Sequence, residues 1–166
     1  MDPWFRLIEH SSLSIWLRES PSLLAFPGVL TAHTMAMGFL AGISVLVAVR
    51  LLGFPPELPI PAMERLFPVL WLSFSVNVVT GVLLVVAYPT KAMTNPLFYV
   101  KLVLVACGVG SIPAIRRYVA HSSDVEPRVT APKGRILAAT SIALWAAIII
   151  AGRLLPYTYS RLFVDR

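Results

Sequence analysis

Apolar residues along the chain fall into four long runs, which short polar segments separate. The runs cover about residues 23–49, 67–88, 96–115 and 136–157. A helix that crosses the hydrocarbon core of a bilayer needs about 20 apolar residues. The pattern therefore predicts an all-α fold, in which residues 21–166 form an integral membrane bundle of four transmembrane helices.

The segment that precedes the first run mixes apolar and charged residues. Residues 1–20 (MDPWFRLIEHSSLSIWLRES) include two tryptophans, two arginines and His10. A helix of this composition lies in the headgroup zone of a membrane, with its apolar side toward the acyl chains. We expect an N-terminal interfacial amphipathic helix, which Ser20-Pro21 ends before the first span.

Composition agrees with the membrane assignment and narrows the function. The chain has 166 residues, of which 57% are hydrophobic and 13% charged, and its mean hydropathy is +0.78. A soluble domain has about 25% charged residues. In a membrane protein a net charge of +6 reports orientation and headgroup contact, so we expect membrane lipids and no nucleic acid as partners.

The distribution of basic residues predicts the orientation. Seven of the twelve that lie outside the apolar runs follow the first and third runs: Arg50, Arg65, Arg116, Arg117, Arg128, Lys133 and Arg135. Basic residues in short loops stay on the cytoplasmic side. Both termini are thus expected on the outer side, which is the periplasm in a bacterium.

Three basic or ionisable side chains are predicted to share one level of the membrane. His33 lies roughly 9 Å inside the first span, counted from Pro27 at about 1.5 Å per residue. Lys101 lies in the second turn of the third span, and Arg153 in the last turn of the fourth. All three enter from the outer face, and polar groups at such depth are costly unless they have partners or a role.

Several ligands would suit this cluster, because no acidic residue within the spans neutralises it. A b-type haem would take His33 as axial ligand and Lys101 and Arg153 at its propionates. His10 would be the second axial ligand if the interfacial helix folds over the bundle. His121 is excluded, since it lies a membrane thickness away from His33.

Copper is the alternative cofactor, with His33, Met35 and Met37 as ligands, because imidazole and thioether groups suit Cu(I). A quinone headgroup bonded to His33 and Lys101 is a further possibility. In the simplest reading nothing is bound: Lys101 and Arg153 extend to headgroups and His33 bonds within the bundle. The chain would then be an accessory subunit, with the N-terminal helix or the face of Gly38 and Gly42 packed on another chain.

Other polar residues predict packing. Ser73, Asn77, Thr80 and Gly81 share one face of the second span, which should face the bundle interior. Asn95-Pro96 is typical of a helix start. No hydrolase, zinc, nucleotide or redox dithiol motif is present, so we predict no catalytic residue.

Parts of the chain resemble a known superfamily. Residues 94–102 (TNPLFYVKL) are similar to the lysine-bearing segment of the copper resistance protein D membrane superfamily. Residues 16–23 (WLRESPSL), His33, 51–54 (LLGF) and 151–154 (AGRL) resemble a group of short bacterial four-span proteins related to it. The resemblance implies a four-helix membrane unit with an outward-facing histidine, in a superfamily linked to copper handling and similar to bundles that carry b-type haem.

Together these patterns predict a multi-pass protein of the bacterial inner membrane. We expect a small redox or anchor subunit that binds haem b near the outer face and transfers electrons with other membrane or periplasmic redox subunits. The alternatives are a copper-handling protein and a cofactor-free accessory subunit.

Overall fold

The computed structural model describes residues 3–54, 60–121 and 132–164, and this part of the chain is helical apart from short turns. The helices are α1 (Pro3–Glu9), α2 (Ser12–Glu19), α3 (Phe26–Leu51), α4 (Ile60–Glu64), α5 (Phe67–Ala87), α6 (Pro89–Met93), α7 (Pro96–His121) and α8 (Pro132–Val164). The predicted all-α fold class is therefore confirmed.

Four of these helices are long and apolar enough to cross a membrane. Their spanning segments are Phe26–Leu51, Ala62–Ala87, Pro96–Val119 and Pro132–Thr158. The helix of the first span, α3, begins at Phe26 and thus later than predicted. Residues 23–25 form a turn, and Pro27 lies in the first turn of the helix. α7 and α8 extend into the predicted connector at 116–135, of which residues 122–131 lie outside the described part.

α3 is the central helix of the bundle. It packs along both α5 and α8, and α7 packs along α8. Within the described residues, the backbones of α5 and α7 have little close approach. Longer side chains such as Phe67, Leu70 and Ile112 bring these two helices into the shared core.

Two apolar clusters make up this core. The first contains Val47, Ala48, Leu51, Met63, Ile115, Val119 and Ala138, and the second contains Leu40, Ala41, Phe67, Leu70, Ile112, Trp145 and Ile148. Burial of apolar surface between helices and dense packing hold such clusters together. Both lie beyond His33 along α3, toward its C-terminal end.

Short helices cover the other end of the bundle, which we call the capped end. The predicted interfacial helix is two helices, because Ser11 donates to the Ile8 carbonyl (2.6 Å) and its Oγ caps α2 by accepting from the Ser14 N–H (3.3 Å). Glu9 accepts from Arg18 at 3.2 Å and from Thr90 on α6 at 3.1 Å. Leu17 is buried, so α1 and α2 are fixed to α5 and α6.

Gly38 and Gly42 pack against no other helix among the described residues. Both are exposed, and a Cβ added at either would meet no atom within 4 Å. The small pair therefore lies on the outer surface of α3.

Candidate functional site

A polar layer crosses the bundle near its capped end. We use this name for His33 on α3, Asn77 and Thr80 on α5, and Lys101 on α7. Polar and small residues build this level, whereas bulky apolar residues fill the two clusters below it. The predicted interior face of α5 is confirmed, since Ser73, Asn77 and Thr80 are all buried.

The imidazole of His33 is held by α5. Its Nδ1 lies 3.1 Å from the Asn77 carbonyl oxygen and 3.0 Å from Thr80 Oγ1. A carbonyl oxygen only accepts hydrogen bonds, so Nδ1 carries the proton and donates it. The neutral ring then presents its lone pair at Nε2, which has no hydrogen bond among the described residues.

Asn77 and Gly81 complete this contact between α3 and α5. The Asn77 side chain donates from Nδ2 to the His33 carbonyl oxygen at 3.0 Å, so each residue bonds the other. At Gly81, an added Cβ would lie 3.3 Å from His33 Cε1. Glycine is therefore what lets the ring lie directly against α5.

Lys101 reaches the same level from the other side of the bundle. It is half-buried and lies within electrostatic range of His33. A Cβ added at Gly152 on α8 would be 3.6 Å from both Cε and Nζ of Lys101. Among the described residues, no carboxylate or hydrogen-bond acceptor is within bonding distance of its ammonium, and Glu9 is engaged by Arg18 and Thr90.

Pro156 changes the backbone next to Lys101. It lies inside α8, where it has no N–H to donate to the carbonyl four residues earlier. That carbonyl belongs to Gly152, the residue against which Lys101 packs. The carbonyl of Gly152 therefore lacks the N–H of residue 156 as a helical partner.

Asn95 sets the relative position of α7 and α8. Its Oδ1 accepts from the Leu97 N–H (3.0 Å), and its Nδ2 donates to the Leu155 carbonyl (3.3 Å) and to Thr158 Oγ1 (2.9 Å). The predicted helix start is confirmed, but the sequence did not predict the bonds to α8. These bonds hold Lys101 and Gly152 at one level. In the sequence, the helix-capping pattern Asn95-Pro96 was the one signal that pointed to Asn95.

The structure treats the other predicted haem residues differently. Arg153 shares the level of Lys101 but its side chain is exposed. His10 is also exposed, and its Nδ1 bonds the Arg6 carbonyl oxygen at 2.9 Å. No hydrogen bond or electrostatic contact among the described residues links His10 with His33. His121 ends α7 at the opposite end of the bundle.

Met35 and Met37, the predicted copper ligands beside His33, lie in different surroundings on α3. Met35 is 59% exposed on the outside of α3, whereas Met37 packs against the second apolar cluster. Within the described ranges, no three His, Cys, Asp or Glu side chains form a group that could hold a metal ion. Met35 therefore faces away from the side of α3 that carries His33 and Met37.

Within the described part of the chain, the layer thus presents one imidazole with a free lone pair and one ammonium whose charge no acid balances. Such a pair suits a ligand that combines an electron-accepting centre with anionic oxygens.

The chain matches no family model, no curated protein and no solved structure.

Proposed function

We propose that the protein is a small redox or anchor subunit of a membrane, and that it holds one b-type haem through His33. The arrangement at Nδ1 is the observation that carries this proposal. Histidines that ligate metals donate their other ring N–H to a carbonyl or carboxylate, which fixes the tautomer and raises ligand basicity. His33 is held in this way by the Asn77 carbonyl.

Lys101 and Arg153 would take the propionates. The ammonium of Lys101 is half-buried without an acidic partner among the described residues, so a carboxylate would balance its charge. Arg153, exposed at the same level, would meet the second carboxylate from the rim of the bundle. When bound, the haem supplies one-electron transfer, and the protein supplies ligation, charge and a low-dielectric surround.

The position of His10 bears on the number of axial ligands. Because it is exposed and bonded to the Arg6 backbone, we assign only one histidine ligand, His33, to this chain. A single histidine leaves the other axial position open to a small ligand or to a partner subunit.

Absorption spectra of three purified proteins test the proposal: the wild type, His33→Ala and His10→Ala. We expect a Soret band in the wild type and in His10→Ala, and a loss of haem of at least about tenfold in His33→Ala, because an axial ligand is removed. Equal haem content in wild type and His33→Ala would refute the proposal. Loss of haem in His10→Ala alone would move the ligand to the N-terminal helices.

A cofactor-free accessory subunit is the second candidate. The exposed pair Gly38 and Gly42 favours it, since such pairs let two transmembrane helices approach closely. Purification in mild detergent tests it: a larger membrane complex would co-purify with the wild type and be lost in Gly42→Ile. Copper handling is less favoured, because Met35 faces outward.

We also propose the bacterial inner membrane as the location, with both termini in the periplasm. The distribution of charge supports this orientation. Arg116, Arg117, Lys133 and Arg135 flank the end opposite the capped end, and basic residues favour the cytoplasmic side. The capped end and the polar layer would then face the periplasm.

A further inference from the structure

Two polar atoms inside α8 have no hydrogen-bond partner among the described residues. They are Ser141 Oγ and Trp145 Nε1. Both side chains are only 1% exposed. Leaving a buried donor or acceptor unpaired costs about 1–3 kcal/mol, so two such atoms side by side point to a missing partner.

The two residues face the same part of the core. They are four residues apart, which puts them on one helix face, and long helical side chains lean toward the preceding turn. The edge of the Trp145 indole lies against α7, since a Cβ at Gly108 would be 3.7 Å from Cε2, the atom bonded to Nε1. The polar edge of the indole therefore lies at the interface of α7 and α8.

One small cavity lies in the same core, between α3, α5 and α7 and apart from Ser141 and Trp145. The cavity of about 10 Å³ is lined by Ser44, Val47, Phe67, Leu70, Ile112 and Ile115, of which three belong to the same cluster as Trp145. About this much space is the minimum that one water molecule needs. Gly108 adds no side chain to the interface beside the indole.

We propose that Ser141 and Trp145 bind one buried water molecule between α7 and α8. An indole N–H only donates, so the ligand has to accept from Trp145, and the serine hydroxyl can both donate and accept. Water meets both requirements, whereas an apolar ligand meets neither. The site is separate from the proposed haem site, because it lies within the apolar core beyond His33.

The indole N–H resonance of Trp145 provides the test. The full-length protein, labelled with ¹⁵N-tryptophan and placed in lipid nanodiscs, is compared with Trp145→Phe to assign the signal. We expect a cross-peak between this N–H and water in the wild type, and its loss in Ser141→Val, which removes the hydroxyl and fills its space. Ser75→Val is the control, because Ser75 is exposed and its hydroxyl donates to the Trp71 carbonyl.

Three results would overturn the proposal. One is a Trp145 N–H without a water cross-peak in the wild type, and another is a cross-peak that Ser141→Val leaves unchanged. The third is loss of the cross-peak in Ser75→Val as well. If Ser141→Val does not fold, Ser141→Ala takes its place, and the cross-peak should then weaken at least twofold while the other indole signals keep their positions.

Discussion

His33 takes its orientation from a backbone carbonyl, which a residue of any type at position 77 would supply. Its Nδ1–H donates to the Asn77 backbone carbonyl. A substitution of the Asn77 side chain would therefore keep this hydrogen bond unless it displaced α5. Thr80 Oγ1, which donates to the Val76 carbonyl at 2.6 Å, is the second acceptor. The backbone and side chains of α5 thus hold the imidazole ring, and the ring fits against α5 because Gly81 has no side chain.

Gly81→Val tests this arrangement at the level of one residue. Its side chain would press on His33 Cε1, which is already 3.3 Å from a Cβ at this position. We expect a loss of about 1–3 kcal/mol in the free energy of unfolding, as for other overpacked sites. The measurement is unfolding by SDS in mixed micelles, followed by circular dichroism.

Gly110→Val is the matched control for that substitution. Gly110 is also a helical glycine, but a Cβ there would meet no atom within 4 Å. Its effect should stay within about 0.5 kcal/mol, as at most exposed positions. Equal losses at the two glycines would mean that His33 does not lie against α5.

The sequence predicted part of this site. The spacing of Ser73, Asn77 and Thr80 identified the interior face of α5, and hydropathy placed His33 and Lys101 at one level. Whether Arg153 faces the bundle or the outside depends on which helices pack against α8. A single polar residue at the end of an apolar run has no repeating pattern that would predict this direction. For the same reason the sequence did not predict that the face shared by Trp145 and Ser141 would be buried.

At the level of the helices, the connections at the capped end hold the polar layer together. α1 and α2 are separate because Ser11 caps the second helix, and Glu9 ties both to α6. Asn95 links the start of α7 to the last turns of α8. Local signals in the sequence, such as Asn95-Pro96, predict where helices begin but not which distant helix a capping side chain also reaches.

Asn95→Ala should therefore destabilise more than a cap alone. The substitution removes the bond to the Leu97 N–H and the two bonds that Asn95 Nδ2 donates to the Leu155 carbonyl and Thr158 Oγ1. With about 1 kcal/mol for the cap and a similar amount for the buried bonds, we expect a loss of about 2–3 kcal/mol. The same SDS titration measures it.

Thr94→Ala serves as the control for Asn95→Ala. Thr94 is the preceding residue, it is exposed, and its hydroxyl donates only to the Thr90 carbonyl in the same segment. Its substitution should change the free energy of unfolding by less than about 0.5 kcal/mol. A similar loss at both positions would argue that Asn95 does not link α7 to α8.

On the scale of the whole molecule, α3 packs on α5 and on α8, and α7 packs on α8. The polar layer lies at the capped end, where residues of α3, α5 and α7 meet. Hydropathy predicted the four spans, because lipid requires long apolar helices whatever their arrangement. It did not predict that α3 would be central or that α5 and α7 would approach each other so little. Those features depend on which helices pack against each other in the folded chain, and hydropathy along the sequence does not predict this pairing.

The single cysteine allows a test of the orientation in the membrane. Cys107 is exposed on α7 within a spanning segment, so a charged maleimide should not label it in sealed cells until SDS is added. In a Cys107→Ser background, Arg6→Cys should be labelled from the periplasm and Lys133→Cys only after permeabilisation, because basic loops stay inside. The reverse pattern would contradict the proposed topology, and labelling of Cys107 in intact membranes would contradict the spanning position of α7.

The haem-to-protein ratio of the purified wild type tests the central proposal most directly. The protein is produced with added haem precursor and its haem is determined as the pyridine complex, with a reduced-minus-oxidised spectrum of the same sample. Ligation by His33 predicts one b-type haem per chain and a Soret band that shifts on reduction. A folded protein that contains no haem under these conditions would contradict the proposal.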